Sequence, residues 1–297
     1  MKILVFGGGG QVGFELQRSL APLAELRVPG YGGLARIDLS DFAALEKCVA
    51  DLSPDVVVNA AAFTGVDKAE SERDLATHIN ADAPGVLARA AARVGALIIH
   101  YSTDYVFEGE GRSYRAEDAA TAPLNHYGAS KLAGEVAVAS ENLRHLILRA
   151  SWVYAVHGKN FPKTILRRAA SGETLSVVAD QVGAPTGAPL LADATAHAIR
   201  SLGHGNGGCG LYHLVAGGEA SWHELAVFLC AEALTHGLLS SFPEIKPITS
   251  AEFPTPAQRP FNSRLSNEKF KSEFGLLLPH WKEGVAHFVR ELASAKL

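Results

Sequence analysis

Cysteine, excess positive charge and long apolar runs are all scarce in this chain, and each scarcity closes off a class of function. Of 297 residues only three are cysteines, Cys48, Cys209 and Cys230. Their number is odd and their spacing matches neither a metal site nor a redox pair, so a reduced, cytoplasmic protein is expected. The formal net charge is −4 with no basic cluster, which argues against nucleic acid as a partner. No apolar stretch approaches the ~20 residues needed to cross a bilayer, so no membrane role is expected. Residues 3–6 read as a strand of the fold rather than as part of a cleavable leader. The twelve histidines form no metal-like cluster, and there is no internal repeat or low-complexity tract. What remains, at 47% hydrophobic and 20% charged residues, is an ordinary globular composition in a chain long enough for one large core or two packed lobes.

Glycine, by contrast, is concentrated where it carries meaning. The apolar run Ile3-Leu4-Val5-Phe6 leads straight into Gly7-Gly8-Gly9-Gly10-Gln11-Val12-Gly13, and helical periodicity follows to residue 20. Glycine permits a tight turn and lets backbone N–H groups approach a pyrophosphate at the positive end of the next helix. The spacing of Gly7, Gly10 and Gly13 departs from the standard dinucleotide fingerprint and has the form Gly-x-x-Gly-x-x-Gly. Further on, Tyr127-Gly-Ala-Ser-Lys131 puts a phenol and an ammonium on one face of a helix, about one turn apart. A free tyrosine titrates near ~10, and a neighbouring ammonium favours its phenolate. Alone, Tyr-x-x-x-Lys is more often an ordinary amphipathic helix. Behind a glycine turn it describes an enzyme that holds a nicotinamide dinucleotide and moves a proton to or from a carbonyl or alcohol.

The first half alternates strand and helix patterns. Strands are expected at residues 3–6, 26–28, 55–59, 96–102 and 143–150, and helices at 11–20, 42–52 and 82–94, the last closed by Gly95. Such alternation implies an α/β fold, a Rossmann-type doubly wound parallel sheet with helices on both faces. Ligands then bind at the carboxyl ends of the strands, where the glycine turn and residues 59–64, 102–104 and 150–153 all fall. Past residue 150 the pattern loosens, and Pro and Gly cluster at 183–189 and 254–260. The expected division is a dinucleotide-binding domain at 1–150, with part of 186–216 returning to it, and a smaller C-terminal substrate-binding lobe filling most of 151–297.

Several further motifs stand in register with these. They are Asn59-Ala-Ala-Ala-Phe-Thr-Gly-Val-Asp-Lys-Ala-Glu70, Ser102-Thr-Asp-Tyr-Val-Phe107, Ser151-Trp-Val-Tyr154, Asp180-Gln-Val-Gly-Ala-Pro-Thr186 and Arg259-Pro-Phe-Asn-Ser-Arg-Leu265. With the glycine turn and residues 127–131, they resemble the dTDP-4-dehydrorhamnose reductases of the extended short-chain dehydrogenase/reductase superfamily over essentially the whole length. The resemblance implies reduction of the C4 ketone of dTDP-4-dehydro-L-rhamnose to dTDP-L-rhamnose, an activated sugar. It makes Tyr127 the proton donor. Lys131 would bind the nicotinamide ribose and lower the pKa of Tyr127, and Thr103 would hydrogen-bond the substrate oxygen with Asp104 beside it at the sugar. Gly7, Gly10, Gln11, Val12 and Gly13 would shape and line the pyrophosphate site. Asp38 and Leu39 would flank the adenine, and Ala62, Phe63 and Thr64 would contact the cofactor further along. Trp152 would pack against the sugar nucleotide, and Asn262 with Arg264 would meet its phosphates. From the residues alone, Trp152 serves equally as a core aromatic, and Arg259 and Arg264 as solvated surface charges.

Two departures bear on cofactor and metal. NAD-preferring relatives carry an acidic residue at the end of the second strand to hold the ribose hydroxyls. The stretch Leu26-Arg27-Val28-Pro29-Gly30-Tyr31 has none, and Arg27 or Arg36 is available to pair with a 2′-phosphate. NADPH is therefore the expected cofactor, with NADH as the alternative. Some relatives dimerise around a divalent metal. Glu15 and Glu291 are the candidate Mg2+ ligands here, but Pro189 stands where a third carboxylate is expected, so a homodimer is expected with at most a weak metal requirement. Two rival readings share much of this pattern. A sugar-nucleotide epimerase or 4,6-dehydratase has the same Tyr/Lys pair, although dehydratases follow the threonine with Asp-Glu, where this chain has Thr103-Asp104-Tyr105. A non-catalytic subunit resembling the regulatory β subunit of methionine adenosyltransferase is the rival from another class.

Overall fold

The computed structural model describes residues 1–295. Strand β1 (Lys2–Phe6) sets the pattern for the whole sheet. Ile3, Leu4 and Val5 are wholly buried and Phe6 nearly so, because helices cover both faces, and such a strand reads as an unbroken apolar run. The glycine turn leads into α1 (Gln11–Leu20), then β2 (Glu25–Arg27), α2 (Phe42–Leu52) and β3 (Val56–Asn59). A short α3 (Arg73–Thr77) continues through a π-helical turn at His78–Asp82 into α4 (Ala83–Arg93) and β4 (Leu97–Thr103). Next, α5 (His126–Glu141) and β5 (His145–Ala150) complete the alternation. Every strand and helix expected in the first half forms, with its ends within two residues of those expected.

The second half is broken into shorter pieces. It contains β6 (Val153–Tyr154), α6 (Phe161–Ala170), β7 (Leu175–Val178), β8 (Val182–Gly183) and β9 (Thr186–Gly187). These are followed by α7 (Ala188–Gly203), β10 (Gly210–His213), β11 (Ala220–Ser221), α8 (Trp222–Thr235) and β12 (Ile245–Ile248). The chain closes with β13 (Asn262–Ser263), α9 (Glu268–Phe274) and α10 (Trp281–Ser294). Strands of two residues leave no periodic signature, which is why the pattern loosens past residue 150.

The six-stranded sheet has the order β2-β1-β3-β4-β5-β10 and every pairing is parallel. Alternate residues of each strand serve opposite faces. Ile3, Val5, Val58 and Ile99 meet Leu16 and Leu20 of α1 and Leu191 and Ile199 of α7. Leu4, Phe6, Val57 and Ile98 meet Leu45 and Val49 of α2 and Val86 and Leu87 of α4. A separate cluster containing Leu175, Leu225, Leu229, Trp281 and Phe288 forms the core of the smaller lobe. The strand order reverses between β1 and β3, and at such a switch point a crevice opens above the carboxyl ends.

Helix α5 is pressed unusually close to the backbone beside it. A Cβ on Gly128 would lie 2.2 Å from the Tyr105 carbonyl oxygen, and one on Gly134 would lie 2.1 Å from that of Asn80 in the π-turn. The face turned inward carries Tyr127, Lys131 and Glu135, each one turn after the last. Glu135 is buried and takes two hydrogen bonds from Arg149 of β5, at 2.8 and 2.7 Å, and a third from Ser102 Oγ of β4 at 2.5 Å. Removing one partner of a buried pair strands a charge at a cost of about 3–5 kcal/mol, whereas replacing both with apolar groups of similar volume is often neutral. Glu135→Leu should therefore destabilise the protein by about 3–5 kcal/mol in urea titration, and Glu135→Leu/Arg149→Met should recover most of that loss. A double variant no more stable than the single one would show that the pairing is not what matters here.

Candidate active site

Two adjoining cavities lie over the carboxyl ends of β1, β3 and β4, sharing Gly7, Gly9, Gly10, Leu39 and Ala61. One, of about 840 Å³, runs over the glycine turn to Arg36, Asp38 and Ile79. The other, of about 660 Å³, holds Thr103, Asp104, Tyr127 and Lys131 and reaches Trp152 and Arg259.

The turn fits a pyrophosphate. Gly7 has φ +83°, and a Cβ there would sit 2.5 Å from the Ala61 nitrogen. A Cβ on Gly13 would sit 2.1 Å from the Gly7 carbonyl oxygen, so Gly13 lets helix and strand close together and does not line the cavity. Gly10 caps α1 without a side-chain hydrogen bond, and the first turn of the helix carries no acidic residue. Its amides thus face the cavity with no internal acceptor, the arrangement that binds anions. Gln11, Val12, Ala62 and Thr64 line the second cavity. Phe63 contributes differently, because its N–H is taken by Asn80 Oδ1 at 2.8 Å, which anchors the loop to the π-turn.

At the other end the two basic candidates separate. Arg27 is paired with Glu25 and lies away from the cavity, whereas Arg36 lines it. A carboxylate missing from residues 26–31 is delivered to the same cavity by Asp38. Hydrogen bonds from the backbone N–H and hydroxyl of Ser40 hold that carboxyl below its ordinary range.

The proton-handling groups stand together. Tyr127 is half-buried, lines the cleft and is packed edge-on to Tyr105. Burial raises the phenol's pKa, the hydrogen bond to Thr103 lowers it, and Asp104 raises it further. The net direction is upward. Lys131 donates to the Tyr101 carbonyl at 2.5 Å, and burial brings its own pKa down to about 8. A protonated phenol is the form a proton donor requires. Asp104 accepts from Thr103 Oγ1 at 3.1 Å, while its other oxygen, Oδ2, is buried without a partner. That oxygen is an acceptor left without a donor, in a residue that lines the cleft.

Trp152 lines the cleft with φ +50°, a strained conformation for a residue with a Cβ, and its indole lies 3.5 Å from that of Trp222 at an interplanar angle of 7°. Trp222 and Lys159 were not singled out in the sequence, yet both line the cleft. The signal for Trp222 was the capping box Ser221-x-x-Glu224, which fixes it at the first position of α8. The expected phosphate partners fare differently from the rest. Neither Asn262 nor Arg264 lines the cleft: Asn262 donates to the carbonyls of Glu110 and Ser113, and Arg264 is held by Glu219. Arg259, paired with Asp67 at 2.9 Å, is the arginine at the cleft wall. The candidate metal ligands are also engaged separately, Glu15 with Arg18 and Glu291 with His287. Among the described residues, no three His, Cys, Asp or Glu side chains gather as a metal site.

Burial raises the Asp104 pKa to about 6, against the hydrogen bond from Thr103 that lowers it. A folded-state pKa above the unfolded value means stability that is complete below the unfolded pKa and is lost as pH rises through the folded one. Asp104→Asn, which stays neutral, should be more stable than the parent by on the order of 2–3 kcal/mol at pH 8, and the gap should close below about pH 4. Urea titrations across that range test this, and a gap independent of pH would refute it.

Comparison with known proteins agrees with this geometry. Residues 1–294 match the family model described as the RmlD substrate binding domain. A dTDP-4-dehydrorhamnose reductase of Shigella flexneri is 50% identical over 297 residues, covering 98% of each chain. Among solved structures, a dTDP-4-dehydrorhamnose reductase of Clostridium acetobutylicum is similar with TM-score 0.88 and 35% identity, over 98% of this chain and 99% of that one. One from Bacillus anthracis, in complex with NADP, is similar with TM-score 0.86 and 33% identity over the same shares. The chain belongs to the dTDP-4-dehydrorhamnose reductase family of the extended short-chain dehydrogenase/reductase superfamily.

Proposed function

We propose that this chain reduces the C4 ketone of dTDP-4-dehydro-L-rhamnose to dTDP-L-rhamnose, a precursor of cell-surface polysaccharide, with NADPH. The observation that carries this reading is the convergence of Thr103, Tyr127 and Lys131 in a cleft continuous with the glycine-turn cavity. They converge in a chain 50% identical to a reductase of that name. NADPH supplies the hydride when bound.

The rest is done by the chain's own residues. The free amides at the start of α1 hold the pyrophosphate, in a turn shaped by Gly7 and Gly13. Tyr127, kept protonated by burial, gives its proton to the oxygen that becomes the alcohol. Thr103 steadies that oxygen, Lys131 holds the nicotinamide ribose, and Asp104 Oδ2 accepts from a sugar hydroxyl. Arg259, with Lys159 on the 155–160 loop, supplies the positive charge that a diphosphate needs. The indole of Trp152, backed by Trp222, offers a flat face to the sugar nucleotide.

Residues 1–150, with the return of 186–216, form the cofactor half in this reading, and most of 151–297 the substrate half. A cytoplasmic homodimer is the inferred setting. Among the described residues no helix is long and apolar enough to cross a membrane. Glu15 and Glu291 are retained as cation ligands only for a contact between two chains.

The test is consumption of NADPH with dTDP-4-dehydro-L-rhamnose generated in situ. Stoichiometric loss of reduced-nicotinamide absorbance with dTDP-L-rhamnose formed is expected. An epimerase or dehydratase regenerates its cofactor, and a regulatory subunit turns nothing over, so either would show no net loss. Tyr127→Phe should lower kcat by about 10²–10⁴ while NADPH still binds, and near-normal turnover would sink the mechanism. Arg36→Ala should lower kcat/KM for NADPH by about 10- to 100-fold, with much less effect on NADH. Equal losses with both cofactors would remove Arg36 from the reading of the 2′-phosphate.

A further inference from the structure

Where Lys131 leaves the cleft wall, three buried side chains from three elements meet. They are Asn59 at the end of β3, His100 in β4 and Lys131 in α5, none more than 2% exposed. Asn59 Nδ2 lies 3.1 Å from His100 Nδ1, and His100 Nε2 lies 3.3 Å from Lys131 Nζ.

The directions of these hydrogen bonds follow from the far end of the amide. Asn59 Oδ1 accepts from the N–H of Ala61 at 3.2 Å, so Nδ2 is the atom facing the ring and His100 Nδ1 must accept. A neutral imidazole has one N–H, so the proton sits on Nε2 and points at Lys131. A charged ring is excluded, because full burial and the adjacent ammonium hold the His100 pKa far below its ordinary value. An ammonium, however, has donors only, and cannot receive that N–H, whereas a neutral amine has a lone pair for it. Turning the Asn59 amide over would free the ring but set an NH2 group against the N–H of Ala61. The cluster is thus better satisfied when Lys131 has released a proton.

We propose that His100, oriented by Asn59, is a positioning residue that makes Lys131 a ready proton donor to Tyr127. The step rests on the reading of Tyr127 given above. When Tyr127 has protonated the substrate oxygen it is left as a phenolate. An N–H bond of the Lys131 ammonium breaks, the proton moves through the cleft side to restore the phenol, and the electron pair left on Nζ accepts the Nε2–H of His100. Ammonium and phenolate become amine and phenol, and the amine regains a proton from solvent before the next turnover.

The groups around Lys131 permit this. Glu135, one turn along α5, favours the ammonium, but its carboxylate is already engaged by Arg149 and Ser102. Tyr127 lies on the cleft side, with Asp104 beyond it. The Tyr101 carbonyl accepts from amine and ammonium alike.

The first test needs no substrate and no variant. Long-range ¹H–¹⁵N correlation of the cofactor-free protein should show His100 as the Nε2–H tautomer from pH 6 to 9, and the Nδ1–H tautomer would overturn the proposal. The second test uses His100→Gln, whose carbonyl can turn to accept from the ammonium. The Lys131 ε-carbon resonance, identified by its loss in Lys131→Arg, should then titrate about one pH unit higher than in the parent. The fall of kcat on the alkaline side should move up with it, while the Kd for NADPH, measured by fluorescence below the titration, stays within about twofold. An unmoved lysine titration, or an alkaline limb coinciding with that of the parent, would refute the role. Because the tautomer and the lysine titration are read on the protein alone, they stand or fall independently of which sugar is reduced.

Discussion

The active site depends on how one helix face is held against the sheet. Helix α5 presents Tyr127, Lys131 and Glu135 inward in successive turns, and two of these three are charged side chains that burial alone would expel. Glu135 is retained because Arg149 neutralises it from β5 and Ser102 hydrogen-bonds it from β4. That triangle ties α5 to the two strands whose ends carry Thr103, Asp104 and Ala150. With Gly128 and Gly134 allowing backbone-to-backbone approach, the helix sits close against the Tyr105 and Asn80 carbonyls. Lys131 is then held against the Tyr101 carbonyl, and Tyr127 lines the cleft beside Thr103. Catalytic geometry of this kind comes from locking the supporting shell rather than from the reacting groups themselves.

Burial has a second consequence, through protonation. It raises the pKa of the Tyr127 phenol and of the Asp104 carboxyl and lowers that of the Lys131 amine, each toward its neutral form. With values near 6 and 8, Asp104 and Lys131 still carry charge at neutral pH, whereas Tyr127 stays a phenol, the form that can give a proton to a developing alkoxide. Further charges stand at the margins, where the ligand's own phosphates would lie: Arg36 at one end, Arg259 and Lys159 at the other. Trp152 adds backbone strain and a face-to-face stack on Trp222, both maintained by the packing of the smaller lobe.

Much of the first half was legible because its strands are buried on both faces. Residues 3–6 and 56–58 appear as unbroken apolar runs, and an amphipathic helix between runs leaves its own period. The glycine turn was legible for a steric reason, since Gly7 and Gly13 occupy places where no Cβ fits. The second half hid its organisation in two-residue strands too short for any periodicity. Arg264 and Asn262 show the matching limit: their motif was visible, but whether an arginine faces a ligand or Glu219 is decided by a residue 45 positions away.

The sequence by itself determined the alternation of strand and helix, the turn that can hold a pyrophosphate, and the spacing that sets Tyr127 and Lys131 on one helix face. These are local facts, written in residue type and period. Only the tertiary structure decided which of Arg27 and Arg36 reaches the cofactor cavity, that Trp222 backs Trp152, and that His100 and Asn59 stand behind Lys131. It also decided that Tyr127 is held as a phenol. The physical reason is common to all of these: burial, hydrogen-bond direction and charge pairing arise between elements distant in the chain, and one residue's neighbours on its own helix cannot report them.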